Sequence, residues 1–253
     1  MSKIVIITGG SSGIGLCTAA ALREKDCKVY ELSRRDSEVP GITHLKCDIT
    51  DEEQVKAAVA QVMAENGRID ILINNAGFGI SGAVEFTETE DARRLFDVNF
   101  FGMVRMQGGG RIVNLSSVAA PVPIPFQTYY SAGKAAVNSY TMALSNEVKP
   151  FGITVTAVMP GDIKTGFTAA RQKSIVGDEV YGGRISRSVA GMEKDEQTGM
   201  DPAKAGEFIA KVALSTGHKP LRTIGFNYRC AVFLTKILPA RWLNGLIGMI
   251  YAK

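Results

Sequence analysis

Short runs of β-branched and apolar residues alternate along the chain with longer segments whose apolar positions recur at the helical period. The runs predict strands at 3–8, 28–33, 44–47, 69–74, 111–116 and 154–159. The periodic segments predict helices at 13–25, 51–66, 90–106, 128–149 and 201–214. Alternation of this kind is typical of βαβ units, so we expect an α/β fold in one domain, with a central parallel β-sheet flanked by helices.

Two predicted helices carry start signals. Thr50 stands three positions before Glu53, the spacing of a capping box, and Asp201 precedes Pro202 as an N-cap precedes a first helical residue. We therefore expect Thr50 and Asp201 to cap the helices that follow them.

Two segments fall outside this pattern. Residues 166–200 are polar and glycine-containing without a strong period, which predicts a mobile lid or substrate loop. Residues 230–253 form an apolar tail that Lys236, Pro239 and Arg241 interrupt, which disfavours a transmembrane helix. We expect the tail to fold over the substrate cleft or onto the sheet. An interfacial membrane helix with Trp242 at the boundary, or a partner surface, are the alternatives.

Composition narrows the classes of function. The 253 residues are 45% hydrophobic and 21% charged, and the net charge of +4 is scattered rather than gathered in a basic block, so we expect no nucleic-acid partner. No secretory leader is evident, which makes the cytoplasm the default location. The four cysteines lack CxxC spacing and there are two histidines, so we expect buried apolar cysteines in a reducing compartment, no metal site and no histidine-dependent triad.

A glycine-rich turn, TGGSSGIG at 8–15, follows the first predicted strand and leads into a helix. Glycines let the backbone approach a pyrophosphate, while the helix N-terminus directs free N–H groups at the anion. The spacing is not GxGxxG. It resembles the TGxxxGxG pattern of the short-chain dehydrogenase/reductase family, which implies a doubly wound Rossmann fold and a nicotinamide cofactor.

The end of the second predicted strand bears on the choice of cofactor. An acidic residue there accepts hydrogen bonds from the ribose of NAD, but this chain has Ser33 at the expected position, followed by Arg34. A guanidinium suits a 2′-phosphate, so we expect NADP(H). The alternative is that Arg34 and Arg35 are surface charges.

Other segments resemble the family's cofactor-binding motifs. Asp48 corresponds to the residue at the adenine ring, NNAG at 74–77 ends a strand, and PGDIKT at 160–165 matches PGxxxT, whose Ile163 and Thr165 would meet the nicotinamide end. The predicted cofactor-binding residues are Gly9, Ser11, Ser12, Gly13, Ile14, Gly15, Arg34, Asp48, Asn75, Ala76, Gly77, Tyr130, Lys134, Pro160, Gly161, Ile163 and Thr165.

Tyr130 and Lys134 stand four apart on a predicted helix, on one face. An ammonium close to a phenol lowers the phenol pKa, so Tyr130 is the expected general acid/base, whereas Tyr129 has Gly133 at the matching position. Ser117, with the family's spacing to Tyr130, is preferred over Ser116 as the residue that binds the substrate carbonyl.

The resemblance completes the predicted catalytic set. Asn99 corresponds to the family's helix-bending asparagine, which helps hold a water linking Lys134 to solvent, so the expected catalytic residues are Ser117, Tyr130, Lys134 and Asn99. The tail and residues 187–197 resemble the branch with retinol and 17β-hydroxysteroid dehydrogenase-like members. This implies an apolar carbonyl or alcohol substrate, with a 3-oxoacyl thioester reductase or a non-catalytic NADP(H) sensor as alternatives.

The connection after Asn99 is short, because only residues 100–110 precede the next predicted strand. A parallel crossover needs a dozen or more residues, and the sheet to be recrossed is about 20 Å deep. Seven helical and four extended residues span at most about 24 Å. We therefore suspect a segment missing after Met106. We expect a homo-oligomer, dimer or tetramer, although a real shortening would damage the family's helix-pairing surface.

Overall fold

The computed structural model describes residues 2–106, 110–217 and 219–252. Its strands are β1 (Ile4–Thr8), β2 (Lys28–Ser33), β3 (Ile42–Lys46), β4 (Ile71–Asn74), β5 (Ile80–Ser81), β6 (Arg111–Leu115), β7 (Thr154–Met159), β8 (Gln172–Lys173) and β9 (Leu221–Thr223). Its α-helices are α1 (Gly13–Arg23), α2 (Glu52–Asn66), α3 (Thr89–Phe96), α4 (Gly102–Arg105), α5 (Thr128–Glu147), α6 (Phe167–Ala170), α7 (Arg184–Gln197), α8 (Pro202–Leu214), α9 (Phe226–Ile237) and α10 (Ala240–Tyr251).

Within these ranges, a parallel sheet of seven strands runs in the order β3-β2-β1-β4-β6-β7-β9, and β5 pairs with β8 apart from it. Strand β1 is buried along its whole length. Val5 and Ile7 pack with α1 and α8 on one face, and Ile4 and Ile6 pack with α2 on the other. The predicted doubly wound α/β architecture is confirmed.

The strand order reverses beside β1, because β2 and β3 lie to one side of it and β4, β6, β7 and β9 lie to the other. Loops that leave neighbouring strands in opposite directions open a crevice at the carboxyl ends of those strands. The loops after β1, β4, β6 and β7 carry the predicted site residues, so the topology brings them to one crevice.

Of the two predicted helix caps, one is confirmed and one is wrong. Asp201 caps α8 by accepting a hydrogen bond from Ala203 N at 2.8 Å, as expected. At α2 the cap is Asp51, whose Oδ1 accepts from Glu53 N at 3.0 Å. Thr50 is not the cap, because its hydroxyl donates to Asp48 Oδ1 at 2.8 Å.

Residues 166–200 contain regular structure that the sequence analysis did not predict. Helix α7 buries Ile185, Ser188, Val189 and Met192 along one stripe. This stripe follows the helical period, but Ser188 and the charged residues beside it hid the pattern. Strand β9, which lies beyond this segment, was also missed, because a strand of three residues is too short to show the alternation of apolar and polar positions.

The sequence analysis counted the crossover between β4 and β6 only from residue 100, although the helix it predicted at 90–106 already belongs to that crossover. Helix α3 continues through a π-helical turn, Asp97–Phe101, into α4, so the returning helix starts at Thr89 and rises about 25 Å by Arg105. Strand β6 then pairs in parallel with β4, with Ile71 opposite Arg111. The suspected missing segment after Met106 falls on residues 107–109, which lie outside the described residues.

The C-terminal tail forms α9 and α10. Among the described residues, none of the helices combines the length and the apolar composition that spanning a bilayer requires. Cys27 and Cys47 are buried as expected and Cys17 is partly buried, but Cys230 is exposed on α9 and corrects that prediction.

Candidate functional site

A cavity of ≈ 1150 Å³ lies at the carboxyl ends of the central strands. It is lined by every predicted cofactor-binding residue and by three of the four predicted catalytic residues, Ser117, Tyr130 and Lys134. The fourth, Asn99, is buried behind the wall, 3% exposed. The sequence motifs, separated by up to about 150 positions in the chain, therefore meet in one place.

The glycine-rich turn after β1 has the backbone that only glycine adopts easily. Gly9 and Gly13 have φ of +66° and +53°. A Cβ on Gly15 would lie 2.2 Å from the carbonyl oxygen of Gly9, so no side chain fits between the turn and the first turn of α1. No side chain of the N-cap residue, Ser12, bonds the start of α1, so the first N–H groups of this helix remain open to the cavity.

The NNAG segment fastens this turn to β4. The Thr8 hydroxyl accepts hydrogen bonds from Asn75 N at 3.0 Å and Ala76 N at 3.1 Å. The Asn75 side chain donates to the carbonyl oxygens of Thr8 and Gly9, both at 3.0 Å. These bonds hold the two loops at a fixed separation.

The opposite wall closes on the glycine-rich turn. A Cβ built on Gly13 would lie 3.5 Å from Cβ of Thr165, in the PGxxxT segment. The channel between them continues past Ile163 and Gly161 to Tyr130. Open helix N–H groups at one end and a bare glycine surface along the channel fit the pyrophosphate and the nicotinamide arm of a dinucleotide.

The carboxyl end of β2 presents a guanidinium to the cavity. The Arg34 side chain is 71% exposed, with its Nη1 4.0 Å from Oδ2 of Asp48 across the mouth. The Ser33 hydroxyl donates to the carbonyl oxygen of Arg35 at 3.0 Å. A hydroxyl and a cation stand where an NAD-type site has a carboxylate.

Helix α5 carries Tyr130 and Lys134 on its cavity face, and Ser117 follows the end of β6. Ser117 hydrogen-bonds the Tyr130 hydroxyl, and its own Oγ accepts a bond from Ala119 N at 3.1 Å. The Lys134 Nζ lies 5.7 Å from the centroid of the Tyr130 ring. The Ser117 and Tyr130 hydroxyls therefore face the cavity together, with Lys134 beside the Tyr130 ring.

Asn99 lies within the π-helical turn and supports the loop after β4. Its Nδ2 donates to the Phe78 carbonyl oxygen at 2.8 Å, and its Oδ1 accepts from Phe78 N at 3.0 Å. A Cβ on Gly77 would lie 3.0 Å from Asn99 Oδ1 and 3.8 Å from Lys134 Nζ. Asn99 thus positions the backbone against which the lysine lies.

The electrostatics differ from the sequence expectation. Burial raises the pKa of Tyr130 to about 12, against the opposing effects of Ser117 and Arg171, and burial lowers the pKa of Lys134 to about 8. The ammonium donates to the Leu115 carbonyl oxygen and lies beside the ring rather than at the hydroxyl. In this structure desolvation therefore outweighs the lysine's attraction for a phenolate.

The two alternative residues lie in other surroundings. The buried Ser116 hydroxyl donates to the carbonyl oxygen of Lys134 at 3.1 Å, inside α5. Tyr129 lines a separate shallow depression with Phe96 and Phe101. Neither hydroxyl is aimed at the Ser117–Tyr130 pair.

Sequence reasoning missed a buried ion pair near Tyr130. The side chain of Arg171, just after α6, is fully buried and pairs with Glu196 of α7, whose Oε2 also accepts from the Thr168 hydroxyl at 2.6 Å. Arg171 Nε and Nη1 make no hydrogen bond with the described residues. No sequence signal pointed to this pair, because α7 itself was not predicted.

A second missed pair joins the PGxxxT segment to α9. The Tyr228 hydroxyl donates to Asp162 Oδ2 at 2.6 Å and accepts from Asp162 N at 3.0 Å. Burial raises the pKa of Asp162. A Cβ on Gly161 would lie 2.2 Å from the Tyr228 ring, so the glycine makes room for α9. The Pro160-Gly161 dipeptide was the sequence signal that could have indicated this close contact.

The far end of the cavity is apolar. It is lined by side chains from both C-terminal helices, namely Ala231, Leu234, Leu243, Leu246, Ile247 and Ile250. This confirms that the tail folds over the cleft. The cavity can therefore hold a dinucleotide along its polar arm and an apolar molecule between Tyr130 and the C-terminal helices.

Comparison with known proteins agrees with this geometry. The family model for short chain dehydrogenase matches residues 3–175. A 3-ketodihydrosphingosine reductase of Bacteroides thetaiotaomicron is 42% identical over 87% of each chain. A probable short-chain type dehydrogenase/reductase, VdlC, of Helicobacter pylori is 30% identical over 98% of this chain and 97% of its own.

Solved structures give the same result. A short-chain dehydrogenase from Streptomyces avermitilis has a TM-score of 0.83 at 28% identity, over 98% of this chain and 96% of its own. ElxO with NADP bound has a TM-score of 0.74 at 26% identity, over 91% and 100%. A 3-ketoacyl-(acyl-carrier-protein) reductase from Brucella melitensis complexed with NADH has a TM-score of 0.72 at 25% identity, over 88% and 96%. With the family match over residues 3–175 and a relative 42% identical, the chain belongs to the short-chain dehydrogenase family of oxidoreductases.

Proposed function

We propose that the protein is an NADP(H)-dependent reductase of a ketone on a long-chain, lipid-like substrate. The observation that carries this proposal is one continuous cavity, in which Ser117 and Tyr130 stand between the channel from the glycine-rich turn and the apolar wall from α9 and α10. A large apolar molecule could reach Tyr130 along that wall.

The predicted cofactor residues support NADP(H). The open N–H groups of α1 would hold the pyrophosphate, and the Arg34 guanidinium would hold the 2′-phosphate. When bound, NADPH supplies the hydride. The chain's own residues bind and orient that group, and the Thr165 segment lies across from Gly13 to enclose it.

Ser117 and Tyr130 would act on the substrate carbonyl. Because burial raises the pKa of Tyr130 to about 12, its hydroxyl keeps its proton at neutral pH and can donate it to the carbonyl oxygen. Ser117 would exchange its hydrogen bond with Tyr130 for one donated to the same carbonyl oxygen. Lys134 would hold the cofactor ribose, and its ammonium would stabilise the Tyr130 phenolate that proton donation leaves.

The substrate class follows from the apolar wall and from one relative. The name of the Bacteroides relative, 3-ketodihydrosphingosine reductase, supports a long-chain ketone. The cavity also carries the carboxyl group of Asp162, which would suit a positively charged group beside the ketone, whereas the Glu196 carboxylate is already paired with Arg171. The alternative of a 3-oxoacyl thioester reductase is supported by the Brucella structure's fold at 25% identity.

The test measures NADPH oxidation by the loss of absorbance at about 340 nm, where the reduced nicotinamide absorbs. Purified protein is given 3-ketodihydrosphingosine in detergent micelles, a 3-oxoacyl thioester, or a short water-soluble ketone, with NADH in parallel. Turnover of the long-chain ketone with NADPH and its loss in Tyr130→Phe support the proposal. Faster turnover of the thioester favours the alternative, and no turnover of any ketone contradicts a reductase.

A further inference from the structure

The two C-terminal helices each expose an apolar stripe at the surface of the molecule. On α9 the spacing is i, i+7, i+11, and on α10 it is i, i+4, i+7, so each set lies on one side of its helix. We call these residues the C-terminal apolar surface: Phe226, Phe233, Ile237, Trp242, Leu246 and Met249.

These stripes are not the faces by which the helices pack. Helix α10 turns Leu243 and Ile247 inward to the cavity, while Trp242 on its outer side is 70% exposed. Helix α9 turns Ala231 inward in the same way. A helix that is apolar on its outer side as well as its packed side requires an apolar environment on both.

The C-terminal apolar surface continues into the mouth of the cavity. Leu234, Leu246 and Ile250 line the cavity, yet each is also exposed at the molecular surface. An apolar molecule leaving the cavity along these side chains would therefore pass onto this surface.

The charge of the segment indicates what covers it. The sequence has no Asp or Glu after Glu207, and the helices expose Arg229, Lys236 and Arg241. Within the described residues, none of these three cations forms an ion pair with a carboxylate of the protein. Cations beside an exposed apolar stripe, with Trp242 among them, complement the anionic headgroups and acyl chains of a bilayer surface.

We propose that the C-terminal apolar surface docks onto anionic lipid bilayers, with the cavity mouth facing the acyl chains. The helices lie in the interface, Arg229, Lys236 and Arg241 contact headgroup phosphates, and an apolar substrate enters the cavity from the membrane. The entry of substrate rests on the proposed function, whereas the docking itself does not.

Trp242 makes the test direct, because it is the single tryptophan of the chain and lies on the proposed surface. Its emission is recorded with vesicles of phosphatidylcholine and phosphatidylglycerol, and with vesicles in which the phosphatidylcholine chains are brominated. We expect a blue shift, quenching by the brominated chains, and weaker binding to pure phosphatidylcholine and at high salt.

Vesicle flotation of variants locates the surface. Phe233→Glu and Met249→Glu change residues that do not line the cavity, and each is expected to weaken binding at least about tenfold. Lys236→Gln and Arg241→Gln should each weaken binding to anionic vesicles roughly fivefold. The matched control is Phe151→Glu, because Phe151 is 76% exposed but precedes β7, at the opposite end of the sheet. NADPH binding and thermal unfolding verify that each variant is folded.

Two outcomes would overturn the docking proposal. One is unchanged Trp242 emission with all vesicles while the protein still reduces the micellar ketone, which leaves the proposed function standing. The other is self-association in sedimentation velocity that buries Trp242 without lipid, which makes the surface an interface between two copies. Vesicle binding without reductase activity would contradict the proposed function and retain the docking surface.

Discussion

The ammonium of Lys134 donates a hydrogen bond to the carbonyl oxygen of Leu115 across 2.7 Å, at the end of β6. This one bond replaces the several that water would make, so burial lowers the pKa of Lys134 to about 8. The lysine is therefore a titrating group near physiological pH, and the free energy of unfolding should depend on it.

A first prediction concerns that dependence. Lys134 has a lower pKa in the folded chain than in the unfolded chain, so above about pH 8 the unfolded chain binds more protons and folding becomes more favourable as the pH rises towards 10.5. Relative to Lys134→Met, the wild type should gain about 2 kcal/mol of stability by about pH 10. Urea denaturation of both proteins across this range measures the difference, and parallel curves would contradict the lowered pKa.

The raised pKa of Tyr130 acts with the opposite sign and at higher pH. Its phenol stays protonated in the folded chain up to about 12, whereas the unfolded phenol ionises from 10.0 upwards. Stability from Tyr130 is therefore fully present below pH 10.0 and is lost as the pH rises towards 12. Measurements below about pH 10 isolate the lysine.

A second prediction tests the proton donor. Tyr130→Phe removes the hydroxyl that Ser117 hydrogen-bonds and should lower kcat by about 10²- to 10⁴-fold, while the Kd for NADPH changes little. Tyr129→Phe is the matched control, because Tyr129 lies outside the cavity and should keep full activity. Equal activity in both variants would exclude Tyr130 as general acid.

Much of this site could be predicted from the sequence, because its parts are local features of the chain with fixed spacing. The glycines at 9, 13 and 15 and the Tyr130–Lys134 pair need only local chain geometry, and the topology then brings them together. The Arg171–Glu196 pair gave no such signal, because it joins the end of α6 to a helix whose apolar stripe was masked by polar neighbours. The orientation and pKa of Lys134 could not be predicted from the sequence either. Desolvation of its ammonium depends on how Leu115 and Gly77 pack around it.

The tail illustrates a further limit. The sequence analysis treated covering the cleft and lying on a membrane as alternatives for residues 230–253. Helix α10 places Ile247 inward and Trp242 outward at once, so the two are compatible. Hydrophobicity alone did not separate the two faces, because both are apolar.

A third prediction concerns cofactor choice. Arg34→Ala should raise the Kd for NADPH by about 10- to 100-fold, because a charge-assisted bond to the 2′-phosphate is lost, and should leave the Kd for NADH nearly unchanged. Arg93→Ala is a suitable control, since its side chain is similarly exposed on α3 and does not line the cavity. A parallel fluorescence titration with both nucleotides measures the ratio. A ratio unaltered by Arg34→Ala would identify Arg34 as a surface charge.

A fourth prediction contrasts two glycines. Gly15→Ala forces a Cβ to within 2.2 Å of the Gly9 carbonyl oxygen and should destabilise the fold by about 3 kcal/mol while weakening NADPH binding. Gly191→Ala, inside α7, meets nothing within 4 Å and should stabilise by about 0.5–1 kcal/mol. Urea midpoints compare the two, and similar values for both alanine variants would refute the close packing of the turn.

The buried pair of Arg171 and Glu196 gives the last prediction. Removing one partner leaves an uncompensated charge, so Arg171→Met and Glu196→Gln should each destabilise by about 3–5 kcal/mol, while the double variant should recover much of the loss. The pair of Lys173 and Glu193, whose side chains are 38% and 25% exposed, joins β8 to the same helix, and Lys173→Met should cost less, about 1 kcal/mol. Additive single-variant losses in the double variant would show that the two buried charges do not compensate each other. Recovery of stability would show that the loss in each single variant is the penalty of one unpaired charge buried between α6 and α7.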